Sequence, residues 1–308
     1  MTTFSDVRAE VEEVAPTRPS TMRRLSRHPS VLLGGLILAV LVALAALAPL
    51  LGTVDPSAID PASRNKKPGV ELSTRADDGT KILRTAWMGT DSLGRDVYSR
   101  VIYGTRVSLA VGLAATAISV SIGLAIGLVA GYVRWLDGVV MRFMDGMMAI
   151  PGILLAIALV SLWGAGLATV ILAVAIPEIP RVVRLVRSLV LTIREEPYVE
   201  AAIGLGTPLP MILLRHVMPN TIAPLIVQAT FICASAILVE ALLSFLGIGI
   251  PPAIPTWGNI MAEGRSLFRV FPHNILFPGI FLSAAVLAIN VIGDGLRDTL
   301  DPRMSKRI

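Results

Sequence analysis

Cysteine is almost absent from this chain. Cys233 stands alone, so neither an internal disulfide nor a thiolate metal cluster can form. Its place inside an apolar stretch is that of a small buried residue. Histidine is nearly as scarce: His28, His216 and His273 lie far apart and accompany no ligand-spaced motif, which leaves a metal site without a pattern. Charge is thin as well. Charged residues make up 16% of the 308 positions against 54% apolar, and mean hydropathy is +0.73. A soluble domain of this size needs far more charge on its surface. The apolar residues also come in blocks of about twenty, which is what spanning a bilayer requires. The composition is that of a multi-pass membrane protein. Catalytic signatures are missing too. The four lysines, Lys66, Lys67, Lys81 and Lys306, never follow a glycine, so there is no phosphate-binding loop. A nucleophile elbow and a His-Glu-x-x-His zinc site are equally absent. The chain reads as a non-enzyme, and if ATP drives it, another chain hydrolyses the ATP. The net charge of +5 comes largely from arginines flanking apolar runs. Membrane topology explains them better than nucleic-acid binding does.

What is present is an ordered series of apolar runs. Residues 1–28 are polar and interrupted by Pro16 and Pro19, and read as a cytoplasmic tail. The first transmembrane helix is expected over 29–52, with its apolar run from Val31 to Leu51. Ala46-Leu47-Ala48 resembles a signal-peptide cleavage site, but the run is long enough to span and Pro49 follows the supposed cut, so a retained helix is preferred. Residues 53–103 form a polar extracytoplasmic segment, with short strands as an option. Further spans are expected at Val107–Val129, Val139–Leu162, Leu167–Leu189, Thr221–Leu246 and Ile275–Leu296, a five-helix core over 104–298. Residues 299–308 are a second cytoplasmic end. With six spans, Arg134, Arg142, Arg181, Arg184, Arg187, Arg194 and Arg215 share a side with both arginine-rich termini, which makes that side cytoplasmic. Ala115, Ser119, Gly123, Gly127 and Gly131 recur every fourth residue of the second span and predict a tight helix interface.

Charged and polar groups inside the spans are costly and therefore candidates for function. Glu178 lies between Pro177 and Pro180, and Arg181, Arg184 and Arg187 follow at three-residue spacing. Ion pairing near the interface is one reading of them; a stiff lever is the other. Asp145 is expected to pair with a cytoplasmic arginine. Gln228, Ser235, Glu240 and Asn290 are candidate pathway-lining residues, with a helix–helix interface as the equal alternative. Outside, Pro252, Pro255 and Trp257 make a proline-stiffened loop with an exposed aromatic, suited either to docking another protein or to rigidity alone.

The most informative stretch, 192–220, joins the fourth and fifth spans. Pro197 suits the first turn of a short helix, and Gly204 and Gly206 suit its end. Thr207-Pro208 is placed to cap a second short helix, which Pro219 would end. Together they predict a compact knob, slim at its alanines, with Glu200 offering one charge. Glu200-Ala201-Ala202, Gly206 and Arg215-His216-Val217-Met218-Pro219-Asn220 resemble the EAA loop of ABC-importer permeases. Gly89 to Arg106, Leu243-Ser-Phe-Leu-Gly247, the stretch Pro251 to Gly258, and Gly293 to Arg303 are similar to the C-type permeases of dipeptide, oligopeptide and nickel importers. Met218 stands where leucine is usual, and Asn65–Thr85 matches no motif. The resemblance implies an all-α membrane protein of the type I importer fold with six transmembrane helices and both termini cytoplasmic. It implies that Glu200, Ala201, Ala202, Gly206 and Pro219 couple to an ATPase. Implied partners are a homologous B-type permease, one or two ATPase subunits holding ATP and magnesium, an extracytoplasmic solute-binding protein and membrane lipid. The expected cargo is di- or oligopeptides, with haem, glutathione or nickel as alternatives in the same class. A stand-alone secondary transporter would need inverted repeats or charge relays, which the sequence does not show.

Overall fold

The computed structural model describes Leu25, residues 28–75 and residues 81–300. The expectations for the tail before residue 25 and for 301–308 fall outside the described residues. Helix α1 (Pro29–Ala46) opens on a proline and is about 27 Å long, close to the thickness of a hydrocarbon core. A polar stretch follows and contains an antiparallel hairpin, β1 (Val70–Arg75) with β2 (Lys81–Ala86), in the register Val70↔Ala86 to Arg75↔Lys81. This small sheet is the one departure from an all-helical chain among the described residues.

Helix α2 (Val97–Tyr132) begins where the Asp96 carboxylate accepts a hydrogen bond from the Ser99 backbone N–H at 2.8 Å. Its glycine stripe meets α5 (Leu167–Ile193) as the spacing predicts. A Cβ on Gly123 would sit 2.5 Å from Val182 Cβ, one on Gly127 2.7 Å from Val186 Cβ, and one on Gly131 2.7 Å from Val190 Cβ. Ser119 Oγ donates to Ala175 O at 2.9 Å in the same seam. The matching order of these pairs makes α2 and α5 parallel neighbours.

Between them the span expected over Val139–Leu162 is not one straight helix. The chain forms α3 (Arg134–Ala149) and α4 (Gly152–Trp163), which meet at 89°. The cause is Pro151: it drives Ile150 into extended backbone (φ −91°, ψ 127°), and the helix cannot continue through it. Because α2 and α5 are parallel, the bent pair carries the chain back between them.

Helix α6 (Pro197–Gly204) is the short helix of the knob, and α7 (Leu209–Phe245) follows it. Helix α8 (Trp257–Gly264) and α9 (His273–Leu300) complete the chain. Helices α7 and α9 pack together, and α1 lies along α9. The bundle has two ends. The hairpin end holds β1, β2, the start of α2 and α8; the knob end holds α6 and the start of α7. His28 and Asp298 approach to 3.9 Å, which puts the start of α1 beside the last turns of α9, at the knob end. By length and apolar composition, α1, α2, α7 and α9 qualify as membrane spans among the described residues, and the count reaches five when the bent pair is taken as one span. Helix α5 is long enough but carries Glu178, Arg181, Arg184 and Arg187 and is not among them.

Candidate functional site

At the knob end, α6 presents two faces. Val199 and Ala202 are buried, and Val199 joins a cluster that includes Val190, Ile193, Ile212 and Val217, which anchors the helix to α5 and α7. Glu200, Ala201 and Gly206 are exposed, with Ile203 and Leu205 beside them. Gly206 has φ +77°, a left-handed turn that any side chain would strain, and nothing lies within 4 Å of the Cβ position. Its N–H donates to Ile203 O at 2.9 Å and closes the helix. Two details differ from expectation. Pro208, not Thr207, is the N-cap of the next helix, without a side-chain bond. Pro219 does not end that helix either. A π-helical turn over Ile212–Val217 precedes it, and α7 runs on through the exposed proline at the junction. The widened turn accommodates the missing proline donor. Asn220 Nδ2 then donates to His216 O at 2.8 Å and to Tyr198 Oη at 3.0 Å, tying the start of α7 back to α6.

The charges of α5 are all paired. Arg181 reaches both oxygens of Glu178 at 3.0 Å, Arg184 bonds Asp145, and Arg187 forks onto Asp137. Asp145 thus has the arginine partner expected for it. The last two pairs strap α3 to α5, so the helix that leads into α6 is braced along its length.

At the hairpin end a buried charge clamp holds four segments together. Arg95 Nε donates to Asp91 Oδ2 at 2.7 Å, and its other arm bonds Glu263 of α8. Arg100, fully buried in the first turns of α2, reaches Glu263 Oε1 at 3.4 Å and the carbonyls of Pro56 and Pro252 at 3.5 Å. Burial pushes the Glu263 carboxyl above its usual range, while Arg100 and Arg95 pull it back. Asp91, Arg95 and Arg100 lie in the stretch Gly89 to Arg106, whose resemblance assigned them no role, and Glu263 lies outside it. The Asp91/Arg95 spacing of four was a visible signal; the arrival of Glu263 from far along the chain was not.

The candidate pathway residues do not converge. Glu240 is fully buried between α7, α2 and the start of α8, where Ser108 Oγ donates to it at 3.1 Å and Ser244 Oγ at 2.9 Å. Gln228 lines an open cavity of about 490 Å³ with Pro224, Phe231 and Arg297. Ser235 and Asn290 are half-buried. The docking loop is corrected at Trp257, which is 0% exposed and part of the core formed by α1, α7 and α9. The reason is a close approach. Thr256 caps α8 through the Asn259 N–H, and Gly258 seats so tightly that a Cβ there would lie 2.5 Å from Ala241 O. Asn259 Nδ2 fixes the loop by donating to the carbonyls of Ile250, Pro251 and Ile254. Pro252 is exposed and Pro255 half-buried.

Comparison with known proteins agrees with this architecture. Residues 123–306 match the family described as binding-protein-dependent transport system inner membrane component. Residues 20–68 match the N-terminal TM domain of oligopeptide transport permease C. A probable peptide ABC transporter permease protein of Sinorhizobium fredii is 51% identical over 94% of each chain. The dipeptide transport system permease protein of Alkalihalophilus pseudofirmus is 39% identical over 94% of this chain and 91% of its own. A glutathione transport system permease protein of Escherichia coli is 44% identical over 71% of this chain and 72% of its own. Among solved structures, one described as inward facing conformations of the MetNI methionine ABC transporter superposes with TM-score 0.53 at 19% identity. It covers 65% of this chain and 96% of that one, and shows a shared fold.

Proposed function

The chain belongs to the binding-protein-dependent transport system inner membrane components, and we propose that it passes di- or oligopeptides inward as one of two permease subunits in an ATP-driven importer. The peptide cargo rests on the names of its relatives, which include dipeptide and peptide permeases. A second cargo, glutathione, is favoured by relatives of similar identity named for it; glutathione is itself a small peptide, so the two readings share their chemistry.

The observation that carries the mechanism is the two-faced α6. Its inner face is packed onto α5 and α7, and its outer face, at Glu200, Ala201 and Gly206, is small and free. Such a knob suits a groove on an ATPase subunit. A push there is transmitted directly, because α5 is strapped to α3 by ion pairs and zipped to α2 by glycines. ATP and magnesium would be held by the partner chains. Two ATPase domains, a B-type permease and a solute-binding protein complete the assembly, and nucleotide binding biases it between inward- and outward-open states. Reconstituting that assembly in vesicles tests the reading. Hydrolysis should rise when the binding protein is loaded with di- or tripeptides and exceed the response to haem or nickel. No response to any peptide or to glutathione contradicts the cargo assignment.

A further inference from the structure

Helix α5 packs an apolar side against the protein and turns a polar side out. Val182, Val186 and Val190 are buried against the α2 glycines, while Arg181, Arg184, Ser188 and Thr192 are exposed. Their spacing of three or four residues lines them up along one face. That face lies at the depth of an apolar span. Val182 packs at Gly123, which is six residues, about 9 Å, inside the end of the α2 apolar run at Val129. Too many charges keep α5 from qualifying as a span on hydropathy, yet it runs beside one.

Lipid does not suit this face. An arginine in hydrocarbon stretches toward the nearer surface, which for Arg181 is the knob end. Arg181 instead turns back to Glu178, about one turn deeper, and its Nη1 donates to both carboxylate oxygens at 3.0 Å. The Glu178 side chain is 10% exposed and that of Arg181 55%. The acid is thus covered and occupied. Nε and Nη2 of Arg181 have no partner among the described residues, and they form the same fork by which Arg187 grips Asp137. Leu185, one turn along from Arg181, opens the cavity of about 490 Å³ that Gln228 and Phe231 share, a volume suited to a small ligand.

We propose that this face of α5 is a wall of the cargo pathway, and that the free Nε/Nη2 edge of Arg181 receives the terminal carboxylate of a peptide in passage. The proposal rests on the importer reading above, since a peptide carries the carboxylate that such an edge binds through two parallel hydrogen bonds. Two measurements on the complete transporter in vesicles test it. In a Cys233→Ala chain, Arg181→Cys with Glu178→Gln should react with a membrane-impermeant maleimide, while Leu36→Cys on the exposed side of α1 should not. No reaction at position 181, or equal reaction at position 36, overturns the wall. The second measurement is uptake of a dipeptide and of its C-terminal amide, each presented on saturating, loaded binding protein. Wild type should favour the free acid. Arg181→Gln, alone and with Glu178→Gln, should lower that preference about tenfold or more, and Arg181→Lys should keep part of it. The paired variant leaves no buried acid without its cation, so its result does not depend on a folding defect. A preference within twofold of wild type in both Gln variants overturns the carboxylate site. A wild-type complex that imports no peptide overturns the importer reading instead, and this site with it.

Discussion

Gly127→Val is the sharpest test of the α2–α5 zipper. A Cβ at this position would lie 2.7 Å from Val186 Cβ and 3.0 Å from Val183 O. Carbon–carbon contacts settle at about 3.5–4.0 Å, so the helices must part by about 1 Å or α5 must rotate. Overpacking of this kind costs about 1–3 kcal/mol, and separation here would also strain the neighbouring seams at Gly123 and Gly131. Thermal unfolding in nanodiscs should show a lower midpoint for Gly127→Val. Gly127→Ala with Val186→Gly should recover part of the loss, because the second change removes the contacted Cβ. Gly146→Ala on α3, with nothing within 4 Å of its Cβ position, should match wild type. If Gly127→Val unfolds like wild type, or Gly146→Ala loses as much, close helix approach is not what holds α2 to α5.

Other consequences follow from the same structure. Gly206→Arg, which strains a φ of +77° on the exposed side of α6, should leave assembly intact but lower the peptide imported per ATP hydrolysed, read by paired uptake and phosphate-release assays. Arg100→Leu leaves Glu263 and Asp91 buried with one cation fewer and should destabilise the chain by about 3–5 kcal/mol, whereas Arg269→Leu should change the unfolding midpoint little. Glu240→Gln keeps an acceptor for the serine hydroxyls and should unfold closer to wild type than Glu240→Leu. The raised pKa of Glu263 means that the folded chain holds this proton more tightly than the unfolded chain does. Its contribution to stability is complete below the ordinary carboxylate pKa and lost as pH rises through the elevated value, so Glu263→Gln should flatten that part of the profile of unfolding midpoint against pH.

The local features were legible because they depend on residues close in sequence. Pro197, Gly204 and Gly206 bound a short helix, and the four-residue glycine stripe found its valines on α5. What escaped was decided by approach between distant segments. Trp257 looked exposed among prolines, yet Gly258 lets α8 settle onto Ala241 and carries the indole inside. Glu263 became the counter-charge of Arg95 and Arg100 only once α8 had folded beside α2. Pro151 did signal the break in the third apolar run, but hydrophobicity continues across it and hid the 89° bend. Pro219 signalled a stop that the π turn absorbed.

Under the proposed function, this permease moves cargo only when an ATPase pushes on the α6 knob. The most direct measurement is uptake of radiolabelled dipeptide into vesicles holding this chain with its B-type permease, with and without the ATPase subunits and ATP. Uptake only in the complete assembly, abolished by removing ATP, is the predicted result. Uptake by the permease chains alone would contradict it.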